Sequence, residues 1–211
     1  MTQRMAACKA AESLQTVYMT ALTKPVKDSV EEYLEGEINS EFRHEYLGGA
    51  VHAMAGGTND HAAIAANAIG TLFGYLKGKP CKAFTSYAKV RLDLADHTRF
   101  YYPDVQVVCD SRSGDSHYQD RPVVIIEVLS ESTRRTDLGE KRDAYLAIPT
   151  LKVLLFIESE AATALLLRRK PSGGFSEEFY SGGDAVIDLP EIEASLPLVD
   201  VFDGIKFPEA S

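Results

Sequence analysis

Cysteine is scarce in this 211-residue chain. The three present, Cys8, Cys81 and Cys109, are an odd number at spacings that match no zinc or disulfide framework, which reads as a protein of a reducing cytoplasm. No stretch approaches the roughly 20 consecutive apolar residues that a membrane span needs. Met1 to Ala21 lacks the unbroken apolar core of a signal peptide and carries Arg4 and Lys9. Basic residues are also in short supply: 22 Lys plus Arg against 31 Asp plus Glu leave a formal net charge of −9. That balance excludes a protein that coats nucleic acid with its whole surface, while leaving room for a local basic groove. Internal repeats, a helix-turn-helix, a zinc finger and an aromatic stacking platform are all missing from the sequence pattern.

What is there suffices for one globular domain, since 45% of the residues are hydrophobic and 25% charged. Residues 1–25 read as a loose tail ending at Lys24-Pro25, and residues 26–211 as the domain. Its centre is the stretch Pro122 to Ser130, apolar or β-branched on both alternating faces, the pattern of a strand covered on both sides of a sheet. Glu127 sits in its middle. A carboxylate there must be protonated, paired with a cation or holding a metal.

Around that strand the chain alternates in type. Ser29 with Glu32 forms a capping box that opens a short helix. Phe42 to Leu47 and Ala50 to Met54, joined by Gly48-Gly49, predict a β-hairpin. Gly56 to Asp60 breaks the pattern and supplies caps for a helix from about His61 to Leu76, with Ala65, Ile69, Leu72, Phe73 and Leu76 on its apolar stripe. Ala83 to Leu92 reads as one strand and Tyr101 to Cys109 as another, with Asp110 to Asp120 a loop. Asp137 and Glu140 read as the capping box of a further helix, with Pro149 at its far end. The inward stripe of that helix, Leu138, Lys141, Tyr145 and Ile148, places a lysine on the apolar face, a natural partner for Glu127. Leu151 to Ile157, Thr163 to Arg169 and Phe175 to Leu189 continue as strands, and Leu196 to Phe202 as a terminal turn or short helix. The order predicts a mixed α/β architecture.

Asp104 opens the strand before Glu127. If the two strands are neighbours, the carboxylates converge beside the lysine. Such a set suits a hard divalent cation, Mg2+ or Mn2+; magnesium takes oxygen ligands at ~2.1 Å from one or two carboxylates plus waters and phosphate oxygens. Lysines and arginines between Lys77 and Arg99, with Arg134, Arg135 and Arg142, are compatible with a phosphate-binding groove or with solvated faces.

Tyr102-Pro103-Asp104-Val105, Ile126-Glu127-Val128-Leu129-Ser130 and Ser132 through Lys141, with His44-Glu45-Tyr46, Ala53 through Gly57 and His61, resemble the Uma-type restriction endonuclease family of the broad PD-(D/E)XK nuclease superfamily. The resemblance covers roughly residues 28–205. It implies a restriction-endonuclease-like core, a mixed central sheet flanked by helices with an N-terminal hairpin and extra C-terminal strands. It also implies metal-dependent phosphodiester cleavage, most naturally of DNA, and a possible homodimer. Carried over, Asp104 and Glu127 are the metal ligands and Glu45 an acidic residue at the edge of the site. His61, Lys89, Arg134 and Arg135 are candidates for substrate contact. The superfamily pattern expects lysine two residues after the glutamate, where this chain has Leu129. Lys141 on the following helix, or else Lys89, takes that role, or the chain is a catalytically silent nuclease-fold module that binds nucleic acid or a protein partner.

Overall fold

Ser29 opens the first helix reciprocally: the Glu32 amide donates to its hydroxyl at 3.1 Å and its own amide donates to the Glu32 carboxylate at 2.8 Å. This computed structural model of the protein describes residues 27–54 and 56–207; the tail read over 1–25, with Cys8, lies outside the described residues. Helix α1 spans Val30–Asn39. Strands β1 (His44–Leu47) and β2 (Ala50–Ala53) follow as the expected hairpin. Gly48 and Gly49 adopt φ of +59° and +103°, the pair of positive angles that a primed two-residue turn requires.

Helix α2 (Asn59–Leu76) starts two residues before the expected His61, because Thr58 rather than the later polar residues is its cap. Its buried stripe is Ile64, Ala68, Leu72 and Leu76. Phe73 was expected on that stripe, yet it is 64% exposed. One helical step of about 100° past Leu72 carries it off the packed face.

The chain then builds two sheets rather than one long strand pair. The segment read as a single strand, Ala83 to Leu92, splits into β3 (Lys82–Thr85) and β4 (Lys89–Asp93), which belong to different sheets. The break is local: Ala88 turns back to the Thr85 carbonyl at 3.0 Å, and the Gln106 side-chain amide donates to the Ala88 carbonyl at 2.6 Å. Strand β5 (Thr98–Tyr101) and the short β7 (Tyr118–Gln119), inside the stretch expected to be all loop, join β4 and the hairpin in a five-stranded sheet of order β2-β1-β5-β4-β7. Strands β6 (Val105–Val108), β8 (Pro122–Leu129), β9 (Val153–Glu158), β10 (Thr163–Arg169) and β11 (Phe175–Ser181) form the central six-stranded sheet with β3, in the order β11-β10-β9-β8-β6-β3. It is mixed, since β8 runs antiparallel to β6 and parallel to β9.

Strand β8 shows why its sequence is apolar on both faces. Val124, Ile126 and Val128 pack with α2, whereas Ile125 and Leu129 pack with Ala144, Tyr145 and Ile148. The second set includes Val90, Leu92 and Tyr101 of the other sheet, so the helical segment 134–146 lies between the two sheets. On the far face of the five-stranded sheet, Tyr33 of α1 packs with Tyr46 and Phe100. Strands β12 (Val186–Leu189) and β13 (Ala194–Pro197) and helix α5 (Leu198–Val201) complete the core over α2.

The reading of the cysteines is corrected. The β3·β6 register pairs Lys82 with Val108, and one position further out Cys81 and Cys109 form a disulfide. The inference of a reducing compartment loses its basis with it. Among the described residues no helix is long and apolar enough to cross a membrane.

Leu155, fully buried in the central sheet, and Phe73 make a paired test of this packing. Leu155→Ala is expected to cost about 2–5 kcal/mol in urea unfolding, and Phe73→Ala no more than about 0.5 kcal/mol.

Candidate functional site

The approach to the site is set by Gly57, Thr58 and His61. The Thr58 hydroxyl accepts from the His61 amide at 3.2 Å and so fixes the first turn of α2. A Cβ on Gly57 would stand 2.9 Å from His61 Nδ1, so only glycine lets this imidazole lie where it does. There His61 Nε2 is 3.3 Å from Asp104 Oδ2. The hydrogen bond to Asp104 raises the His61 pKa above its ordinary value; burial opposes this, while the charges of Asp104 and Glu127 and the Val128 carbonyl support it.

Asp104 and Glu127 meet because β6 and β8 are neighbours, with Val105 opposite Ile126. Each carboxylate takes a backbone amide from beside the other. Asp104 Oδ2 accepts from Val128 N at 2.7 Å, and Glu127 Oε2 accepts from Asp104 N at 3.3 Å. Asp104 Oδ1 accepts no hydrogen bond among the described residues and so keeps its acceptor capacity.

Lys141 reaches this pair through a wide helical turn. The helix starts earlier than expected, with α3 at Arg134–Thr136; Asp137–Lys141 then forms a π-type turn and α4 covers Arg142–Leu146. Arg142 N reaches back five residues to the Asp137 carbonyl, and Gly139 leaves helical values at φ −107°, ψ −106°. Asp137 therefore is not the cap read from the sequence. It lies inside the turn, buried, with its carboxylate 3.7 Å from the Lys141 ammonium. Lys141 Nζ stands 3.1 Å from Glu127 and 3.2 Å from Glu45, which β1 brings in from the other sheet. The Tyr145 hydroxyl donates to Glu127 Oε1 at 2.7 Å.

The electrostatics follow from this crowding. Burial pushes the Glu127 carboxyl up, Lys141 opposes the push, and Asp104 and Asp137 add to it. For Lys141 burial alone would favour the neutral amine, but Glu127, Glu45 and Asp137 together outweigh it and hold the ammonium firmly protonated. One cation thus faces three carboxylates, with Asp104 alongside. A hard divalent cation on Asp104 and Glu127 would relieve the crowding that pushes the Glu127 carboxyl up, and carboxylate oxygens are the ligands such a cation takes. Among the described residues no group of three or more His, Cys, Asp or Glu is gathered as a complete metal cage. The donor set available is the Asp104 and Glu127 pair, the small carboxylate complement with which magnesium is commonly held.

The other sequence candidates divide. Lys89 is buried and bonds the Tyr102 hydroxyl at 3.1 Å, so Lys141 and not Lys89 is the lysine on Glu127. Arg134 is locked to Glu158 by bonds of 2.5 and 2.7 Å, and Arg135 is exposed. Lys79, Arg91 and Arg99 pair with Glu193, Asp93 and Glu140, so the basic stretch does not act as one surface. Asp137 and Tyr145 were missed as site residues. Tyr145 stood on the same inward stripe as Lys141, a signal that could have found it.

The family model described as "Putative restriction endonuclease", Uma2, matches residues 30–198. The uncharacterised protein slr1290 of Synechocystis sp. is 31% identical over 183 residues, covering 86% of this chain and 94% of its own. A second uncharacterised protein of the same organism, sll1609, is 28% identical over 130 residues, covering 60% of this chain and 72% of its own. In three dimensions the fold is similar to a crystal structure described as a putative nuclease belonging to DUF820 from Anabaena variabilis, with a TM-score of 0.66 and 18% identity over 83% of this chain and 98% of that one.

The cluster makes an asymmetric demand on stability. Lys141→Met strands three carboxylates and is expected to cost about 3–5 kcal/mol in denaturant unfolding. Glu127→Gln is expected to cost less, because Lys141 keeps Glu45 and Asp137 as partners. Equal losses from the two variants would contradict this arrangement.

Proposed function

The chain belongs to the Uma2 family of restriction-endonuclease-like proteins, and from that we propose that it is a metal-dependent endonuclease hydrolysing phosphodiester bonds of DNA. The observation that carries the reading is Lys141 Nζ at 3.1 Å from Glu127, the carboxylate that shares its corner of the sheet with Asp104. Asp104 and Glu127 would hold Mg2+ or Mn2+. When bound, the cation supplies Lewis-acid stabilisation of charge on the phosphate and lowers the pKa of a water.

The remaining steps fall to side chains. Lys141, kept protonated by its carboxylates, orients Glu127 and offers positive charge to the phosphate; it does not take a proton. Tyr145 fixes the rotamer of Glu127 from the other side. Glu45 is the more exposed carboxylate on Lys141, its side chain 18% accessible against 4% for Glu127, and is the group placed to accept a proton from the attacking water. His61 holds Asp104 from the α2 side. Leu129, at the position where the superfamily pattern has lysine, is packed among Tyr145, Ile148 and Leu154, and the helix supplies the cation in its place. This favours activity over a silent module.

Wild-type protein is expected to nick supercoiled plasmid with Mg2+ or Mn2+ and not with EDTA. Asp104→Asn, Glu127→Gln and Lys141→Met each should lower the rate by about 100-fold or more while circular dichroism stays that of folded protein. Mn2+ should also raise the melting temperature of wild type but not of Asp104→Asn. Equal cutting by wild type and Glu127→Gln would refute the assignment.

A further inference from the structure

Next to the carboxylate cluster, but not part of it, a groove of about 740 Å³ runs between the α1–β1 connection, the β3–β4 turn and residues 111–119. Lys89 forms part of its wall. This lysine is only 5% exposed, and among the described residues its one side-chain hydrogen bond goes to the Tyr102 hydroxyl. Its Nζ also lies 5.5 Å from the Tyr33 ring centre and 5.3 Å from that of Tyr102, so ring faces share its charge, while of its three N–H donors one is used in a hydrogen bond. Burial lowers the Lys89 pKa, with Glu37 opposing, and Glu37 is itself occupied by the Tyr102 hydroxyl at 2.5 Å and His44 Nδ1 at 2.8 Å. A buried cation without an ion pair calls for an anion.

The rim of the groove carries a different chemistry. Tyr87 is 79% exposed and Phe42 73%, although both are large apolar rings. The Arg43 guanidinium lies over one face of the Tyr87 ring, 4.9 Å from its centre, anchored on the Ser86 carbonyl at 2.7 Å. The groove is lined by Arg43, Lys82 and Lys89 together with Glu37, Glu41 and Asp115, while Arg112 is paired with Asp120 at 2.6 Å, so its cations act one by one rather than as a basic field. Exposed aromatic faces interleaved with fixed cations are the elements that hold unpaired bases and their phosphates. Tyr102 of the groove and Asp104 of the carboxylate pair are separated only by Pro103, at most ~7 Å between Cα atoms.

We propose that this groove binds a nucleotide segment of single-stranded nucleic acid next to the bond to be cut, with a base stacked on Tyr87 or Phe42 and phosphate held by Arg43 and Lys89. Stacking needs an open base face, which a duplex keeps covered by its neighbours, so the groove selects single strands or locally opened duplex. The inference rests on the nuclease reading for its link to cleavage, and deepens it by fixing the form of the substrate.

The test is fluorescence anisotropy of a labelled oligothymidylate of about twelve nucleotides, a length within the usual site sizes, in EDTA so that binding is read without cleavage. Wild type should bind, and Tyr87→Ala and Arg43→Ala should each weaken binding by roughly tenfold. Lys89→Met should do at least as much; because Lys89 is buried, the two exposed positions decide the matter if that variant does not fold. An unlabelled duplex of the same length should compete roughly tenfold less well. No binding by wild type, unchanged binding in both rim variants, or equal competition by duplex overturns the inference. If both rim variants bind and cut like an active wild type, the groove assignment falls alone. Binding that depends on the rim, with no substrate cut under any metal, sustains the groove and removes the nuclease reading.

Discussion

The buried ammonium of Lys141 touches carboxylates from every layer around it. Lys141 comes from the helical segment between the sheets; its three carboxylates come from the central sheet (Glu127), the five-stranded sheet (Glu45) and its own turn (Asp137). Taking such charges from water costs several kcal/mol per ion unless their geometry is satisfied. The wide turn at Asp137–Lys141, the Tyr145 hydroxyl and the reciprocal amide bonds of Asp104 and Glu127 all serve that geometry. Displacement of any one layer would leave charge unpaired in a dry place.

This arrangement accounts for how much could be read from the sequence. Glu127 was conspicuous because a carboxylate interrupted a run apolar on both faces, and Lys141 because helical periodicity put it on the packed side. The Gly48-Gly49 turn and the Ser29-Glu32 cap are local chemistry, and local chemistry determines them. Asp137 misled, since a polar residue ahead of an apolar stripe looks like a cap; its burial depends on a lysine four residues on and on a π-type turn that periodicity cannot display. The division of the stretch 83–92 between two sheets was hidden for a related reason. Its residues have strand character throughout, and the decision to change sheets is made by contacts such as Gln106 with Ala88, distant in sequence.

The aromatic groove was invisible for the same cause. Phe42, Tyr87 and Tyr102 lie on separate segments, and no window of sequence holds a platform, yet α1, the β3–β4 turn and the strand before Asp104 bring them to one surface. Both candidate sites lie at junctions. The carboxylate cluster stands where the two sheets face each other across a helix, and the groove where the chain passes from one sheet to the other.

That passage has a covalent clasp. Cys81 and Cys109 sit at the two ends of an excursion in which the chain leaves the central sheet after β3, supplies β4 and β5 to its neighbour, and returns as β6 carrying Asp104 at its mouth. With the ends bonded, the excursion is a closed ring of sequence separation 28, and the unfolded chain cannot open it. By loop-closure entropy such a ring favours the folded state by about 3–4 kcal/mol. Thiol chemistry at the rim of the central sheet therefore bears on the stability of the whole fold through the unfolded chain, without touching any of the carboxylates.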